Sequence, residues 1–429
     1  MILALDLGST SFKATAFDEG LNAISSGEGT LVYRYGERGE IELEVKGVFS
    51  ALKEAVLQAV AGLDDPNASI DAVAVTSQAQ TFTLLQGNGK PKMPFISWRD
   101  VRAVESAREW TQVLPAFKDQ GSFYEALPYL LSSQLHHLSH HGEPGIDPED
   151  RVALLPTMVT KGLSGGFFLD ENLAAMTGLY SLSERSWWKE ALSFCGLDAS
   201  QLPSVVPVGS VACQTNDQAL EAGLPAGVPI VLAGNDQTAG AFAARLEEQR
   251  STLITLGTCQ VAYRFLPSVP PSKAQLIRGP YPGGNGYWMA ADSCGGDLVN
   301  WACTVLAGCS DPRAFFEKAE QAEARCKGLT FEASVSGSAG SWQGIGFQHG
   351  VPEFSRAVLE ALVERMDEMF QRLEVSSSSS APVLVAGGGS QSSLWRQLLR
   401  DKLGRDLTPT SAQPALGAAR MASEALARS

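Results

Sequence analysis

Ile2-Leu3-Ala4-Leu5-Asp6-Leu7-Gly8-Ser9-Thr10-Ser11-Phe12-Lys13-Ala14-Thr15-Ala16-Phe17 reads as an apolar strand, Ile2 to Leu5, a polar turn, and a returning strand, Ala14 to Phe17. That order is the grammar of a nucleotide phosphate hairpin. Gly8 has no Cβ to hold an anion away, while Ser9, Thr10, Ser11 and the backbone N–H groups of the turn offer donors to phosphate oxygens. Asp6, ending a buried strand, is placed to hold a hydrated Mg2+, and Lys13 reaches phosphate as a flexible point charge. Eight residues of this kind also describe an ordinary polar hairpin, so the reading depends on the rest of the chain.

A similar pattern lies downstream. Ser251 to Phe265 is a strand, the turn Gly257-Thr258-Cys259 and an alternating strand, which suggests an internal duplication with one phosphate hairpin per half. Just before it, Pro229 to Asn235 reads as a buried strand whose polar tip, Asn235-Asp236-Gln237, leads into a small-residue helix from Thr238 to Arg245. Pro382 to Ala386 is another buried strand, followed by Gly387-Gly388-Gly389-Ser390. That turn admits a flat or charged ligand group, or serves topology alone.

Elsewhere, β residues near Ile24 to Tyr35, an amphipathic helix from Val48 to Ala61 and a buried strand from Ile70 to Ser77 alternate as in an α/β layer. The stretch from Ala103 to Leu202 is richer in helix and loop. A long helix, Glu353 to Leu373, precedes the serine run Ser376 to Ser380, read as a solvated loop.

The 429 residues suffice for two or three domains. A net charge of -14 argues against nucleic acid or an anionic membrane as partner, because no basic patch is available to release counterions. The sequence opens directly in a strand and no apolar run reaches the ~18 residues of a membrane span, so a cytoplasmic protein is expected. The cysteines form no Cys-x-x-Cys, which points to neither a disulfide framework nor a zinc knuckle.

Taken in order, Asp6 to Lys13, Trp98-Arg-Asp100-Val-Arg102, Gly234-Asn-Asp-Gln237, Leu256-Gly-Thr258, Arg356 to Glu360, Gly387 to Ser390 and Ala415 to Ala419 resemble the FGGY family of carbohydrate kinases, within the actin, Hsp70 and sugar kinase superfamily. The resemblance runs over nearly the whole chain and is weakest between residues 110 and 165. It implies an α/β fold of two actin-like (ribonuclease H-like) domains with a cleft between them. Those domains are expected at 1–244, with the sugar and the first hairpin, and at 245–429, with the second hairpin and the adenosine. The implied reaction transfers phosphate from ATP, with Mg2+, to a primary hydroxyl of a ketose or polyol, with Asp236 as general base. The residues alone leave Asp236 open as a helix N-cap. Gly8, Ser9, Thr10, Ser11 and Lys13 would meet the phosphates from one domain and Gly257 and Thr258 from the other, while Gly388, Gly389 and Ser390 would meet the adenosine. Trp395 reads as core rather than as an adenine platform. The partner implied is a small sugar or polyol, and a homodimer is compatible with the resemblance.

Three segments correspond to the family's sugar pocket. In Thr76-Ser-Gln78-Ala79-Gln80-Thr81, Gln78 keeps the family type, but Ala79 and Gln80 stand where many ketose kinases have Met-His. Gln78 and Gln80 are expected to bond sugar hydroxyls, as is Gln237 beside the base. Alternation along Ser97 to Arg102 would put Trp98, Asp100 and Arg102 on one side, an aromatic face beside a carboxylate and a guanidinium. The other reading is a structural Asp-Arg ion pair over a buried Trp. The third segment, Asp170 to Tyr180 and on to Trp187 and Ala212, with Tyr281-Pro and Gly295-Gly296, looks more like sedoheptulokinases than glycerol kinases, with pentulose kinases as rivals.

His136, His137, His140 and His141 include i, i+4 pairs able to share a metal. No carboxylate or cysteine joins them at ligand spacing, and Leu135 and Leu138 point to an ordinary amphipathic helix. A second class of function also fits the chain, a non-kinase ATP-binding regulator or chaperone-like ATPase of the same superfamily. The short 110–165 region and the missing Met-His pair suggest it, whereas Trp98, Asp100, Arg102 and Asp236 have no use in it.

Overall fold

The computed structural model describes residues 1–63, 69–334, 339–375 and 381–428, so the serine loop expected at Ser376 to Ser380 lies outside the described residues. The chain divides into two compact units. One is Met1–Ala243 with Pro267–Tyr287 and Gln413–Ser429, and the other is Ala244–Leu266 with Trp288–Ala412.

In the first unit, strands Ile2–Leu7 and Ser11–Phe17 pair antiparallel, with Asp6 opposite Lys13. Ile2–Leu7 is apolar at every position but Asp6, the composition of a strand covered on both faces. It runs parallel to Ala72–Ser77, which runs parallel to Pro229–Asn235. The sheet order is Ser210–Gln214, Pro229–Asn235, Ala72–Ser77, Ile2–Leu7, Ser11–Phe17, Ala23–Thr30. Three parallel neighbours therefore bring their carboxyl ends, at Asp6, Ser77 and Asn235, to one edge of the sheet, where open α/β sheets bind ligands. Leu3, Leu5 and Leu7 share a core with Val48, Ala51 and Ala55 of the helix Val45–Ala61. A second sheet of this unit, Tyr33–Tyr35, Ile41–Leu43, Phe95–Ile96, Phe82–Leu85 and Arg151–Leu154, leads into the segment at Trp98.

Two later segments, Pro267–Tyr287 and Gln413–Ser429, return to the first unit, so its residues are not continuous in sequence. The helix Pro414–Arg428 packs on the helix Asp236–Ala243 and on strands Ile2–Leu7 and Ala72–Ser77. The approach is close enough that a Cβ on Gly417 would stand 1.8 Å from the Ala239 carbonyl oxygen, so only glycine fits. In the other returning segment Arg278 is buried and donates to the carbonyls of Gly121 at 3.2 Å and Asp119 at 2.7 Å.

The second unit repeats the plan of the first. Thr252–Leu256 pairs antiparallel with Gln260–Leu266 and parallel with Val383–Ala386, which is followed in the sheet by Leu407–Pro409. A hairpin beside a parallel strand thus recurs in both units, in keeping with the duplication read from the two turns. The helix Val351–Arg372 buries Val358, Leu359, Leu362 and Met366 at helical spacing.

Candidate functional site

The first hairpin is held from outside through its carbonyls. Gln78 Nε2 donates to Gly8 O at 2.9 Å, Tyr33 OH to Ser9 O at 2.5 Å, and Leu31 N to Thr10 O at 3.2 Å. In a planar trans peptide the N–H of the next residue points opposite the carbonyl, so these bonds turn the amides of Ser9 and Thr10 away from their anchors and free them for an anion. Tyr33 and Leu31 escaped sequence reasoning, since nothing local ties them to a turn more than twenty residues earlier. Two expected ligands take other parts here. The Ser11 hydroxyl donates to the Glu28 carboxylate on the next strand, so it does not face phosphate. Gln78 is buried, with Nε2 on Gly8 and Oε1 accepting from Thr81 Oγ1 at 3.2 Å, so it braces the hairpin instead of reading sugar. Lys13 is exposed on the face it shares with Asp6.

Asp236 opens the helix Asp236–Ala243 immediately after the strand Pro229–Asn235. The capping role belongs to Asn235, whose Oδ1 accepts from Thr238 N at 2.9 Å. Asp236 Oδ1 accepts from Gln237 N at 2.8 Å, and the Gln237 side chain is half-buried. Behind the turn, fully buried Asn172 accepts from Asn235 N at 3.0 Å and donates to Thr238 Oγ1 at 3.1 Å and Pro280 O at 2.8 Å. Asn172 therefore fixes the strand-to-helix corner that carries Asp236, a role visible only once residues 172, 235 and 280 are brought together.

Burial pushes the Asp236 carboxyl up to about 6, against the pull of the Gln237 N–H. Asp6 is pushed to about 7, by burial first and by the charge of Asp236 second, with Lys13 opposing. Asp6 Oδ1 is buried and has no hydrogen-bond partner among the described residues. Two mutually repelling carboxyls with one orphaned oxygen are a donor set that suits a hydrated divalent cation. The same shifts predict a pH dependence. Both groups titrate higher when folded than the ordinary carboxylate value of 3.8, so their contribution to stability is complete below about pH 4 and is lost as pH rises through 6 to 7. Asp6→Asn should therefore be more stable than the parent at pH 8 and differ little at pH 4, measured by urea unfolding without divalent ions.

The expected sugar residues divide. Segment Ser97 to Arg102 is a turn closed by Asp100 N on Ser97 O at 3.0 Å, so strand alternation does not apply to it. Asp100 is fully buried and accepts from Ile41 N at 2.7 Å, Arg102 N at 3.0 Å, the Arg102 guanidinium at 2.7 Å and Gln134 Nε2 at 3.2 Å. Arg102 also reaches Glu42 at 2.7 Å. The pair is therefore the structural ion pair, with no lone pair left over for a sugar. Gln80 is likewise consumed: Nε2 donates to Met176 O at 2.6 Å and Oε1 accepts from Leu131 N at 2.8 Å, with φ at 68°. Trp98 differs, because its ring is half-buried and Nε1 has no partner among the described residues.

In the second unit, Gly257 O and Thr258 O accept from Gly296 N at 2.7 Å and Asp297 N at 3.3 Å, and the Thr258 side chain is exposed. Gly295-Gly296 is thus the seat of the second hairpin, since a Cβ on Gly295 would stand 2.6 Å from Thr258 O. The glycine turn starts with Gly387 at φ 89°, where a Cβ would meet Leu256 O at 2.5 Å. Gly388 is open, with nothing within 4 Å of an added Cβ, whereas a Cβ on Gly389 would stand 2.5 Å from the Trp395 ring. Ser390 turns inward and donates to Gly387 O at 2.7 Å, so its hydroxyl closes the turn instead of meeting a ligand. Trp395 is buried core.

Residues 1–243 match the model of the FGGY family of carbohydrate kinases, N-terminal domain, and residues 252–426 that of the C-terminal domain. A xylulose kinase from Escherichia coli is 27% identical over 391 residues, covering 86% of this chain and 79% of that protein. An L-fuculokinase from Salmonella typhi is 23% identical over 427 residues, covering 94% and 87%. The crystal structure of a xyloylose kinase from Brucella ovis superposes with a TM-score of 0.89 at 21% identity, over 100% of this chain and 90% of that one. Among the described residues no helix is long and apolar enough to cross a membrane. With both domain models matched in order across the two units, the chain belongs to the FGGY family and is a carbohydrate kinase of two actin-like domains.

Proposed function

We propose that the protein phosphorylates a primary hydroxyl of a ketose from ATP, with a pentulose as substrate and Asp236 as general base. The observation that carries this reading is the pair of raised carboxyls at the strand ends, Asp236 at about 6 and Asp6 at about 7. A base poised near neutrality accepts a hydroxyl proton and still exists largely as carboxylate at the working pH. Asn172 and the Gln237 N–H keep it aimed. The Trp98 indole offers an unpaired donor to a sugar hydroxyl, and the amides of Ser9 and Thr10 with Lys13 take up charge on phosphoryl oxygens. Asp6 would hold Mg2+ through water, and when bound the ion would supply charge neutralisation on the phosphates. In the second unit the exposed Thr258 is the counterpart donor, the Gly257 N–H being bonded to Cys259 O at 3.1 Å, and open Gly388 suits the adenosine. The names of the relatives, xylulose kinase and L-fuculokinase, support a ketose over a simple polyol.

The test is ADP release with Mg2+-ATP over xylulose, ribulose, fuculose, rhamnulose, sedoheptulose, erythritol and glycerol. A pentulose should raise the rate above the sugar-free rate by at least about tenfold and exceed the other sugars in kcat/KM. Preference for sedoheptulose or a polyol would replace the substrate, and no response to any would remove the reaction.

A further inference from the structure

The histidines of residues 136–141 lack a ligand-spaced carboxylate in sequence, but the fold supplies one. Glu109, on the helix Val104–Val113, faces the end of the helix Leu131–His140. Its Oε2 lies 3.6 Å from His136 Nε2 and its Oε1 3.7 Å from His141 Nε2. Both separations exceed a hydrogen bond of about 2.7–3.2 Å. Two ligands each about 2.0–2.1 Å from one ion stand roughly 3.3 Å apart, so each separation is a few tenths of an ångström wider than a tetrahedral edge, a gap that a small side-chain rotation closes. All three ligand atoms lie within 4.8 Å of one another.

The rings are also held. His136 is 2% exposed, and its Nδ1 lies 3.0 Å from the hydroxyl of fully buried Ser106, one turn before Glu109 on the same helix. A partner on the far nitrogen is the contact that orients a metal-bound imidazole and leaves Nε2 to the ion. The ring is stacked between Phe194 at 4.4 Å and His140 at 4.2 Å. His141 and Glu109, at 46% and 44% exposed, leave the remaining coordination positions to water.

We propose that Glu109, His136 and His141 form a divalent transition-metal site of the zinc type, tying the helix Val104–Val113 to the end of the helix Leu131–His140. Two imidazoles and one carboxylate select zinc over magnesium or calcium, which prefer all-oxygen shells. None of the three belongs to the Asp6 and Asp236 group, so the site stands independently of the kinase reading.

The full chain, stripped with a chelator and dialysed, is titrated with Zn2+ against a chromophoric competitor and with Co2+ followed by visible absorption. One equivalent of Zn2+ should bind with Kd below about 10 µM, and Co2+ should give ligand-field bands of a low-coordinate ion. Glu109→Gln and His141→Ala, both at exposed positions, should each weaken Zn2+ by at least about tenfold with an unchanged circular dichroism spectrum, while Asp6→Asn keeps the parent affinity. Absence of stoichiometric Zn2+ binding, or binding unaltered in both variants, would overturn the site.

Discussion

Asp236→Asn should lower kcat by roughly 10^2 to 10^4-fold, the usual contribution of a positioned general base. Asparagine keeps the oxygen that accepts from the Gln237 N–H at 2.8 Å, and Asn172 still braces the corner, so the fold survives. The buried carboxyl that titrates near 6 is gone, so the variant should also lose its share of the stability change between pH 4 and 7. ATP affinity by calorimetry should stay within a few-fold, because neither hairpin is touched. Together these outcomes separate a base from a structural aspartate, which would lose stability along with turnover. An undiminished rate removes Asp236 from the chemistry.

Asp100→Ala should cost about 3–5 kcal/mol in urea unfolding, the penalty for breaking a buried ion pair from one side. The carboxylate is fully buried and takes bonds from Ile41, Arg102 and Gln134, so its removal leaves two backbone N–H groups and most of a guanidinium without their acceptor, while the Gln134 amide keeps the carbonyls of residue 100 and Pro128. Arg102 would keep only Glu42, which is itself partly exposed. The sugar KM of the folded fraction should change little. A raised KM with unaltered stability would instead return Asp100 to the pocket.

The features legible in the sequence are those fixed by neighbours along the chain. The two hairpins, the strand leading to Asp236 and the glycine turn after Val383–Ala386 all follow from an apolar run meeting Gly or a polar tip, and each stands where the pattern puts it. Side-chain roles depend on partners far off in sequence. Gln80 looks like a sugar ligand until Met176 and Leu131 occupy both ends of its amide, and Ser11 looks like a phosphate ligand until Glu28 arrives on the adjoining strand. Trp98, Asp100 and Arg102 failed as a set for a local reason: the turn at Ser97 breaks the period on which their shared side depended. The gathering of Glu109 with His136 and His141 needed the packing of two helices that no spacing rule connects.

The helix Pro414–Arg428 completes the first unit although it is the last element described. During synthesis, then, the strands Ile2–Leu7 and Ala72–Ser77 and the helix Asp236–Ala243 leave the ribosome long before the helix that packs on them. Translation adds about 5–20 residues per second, so the surface this helix will cover waits out the making of the whole second unit, uncovered and open to chaperones. The second unit has no such debt to later sequence. It can fold first, and the nascent chain should become resistant to protease in the reverse of its domain order.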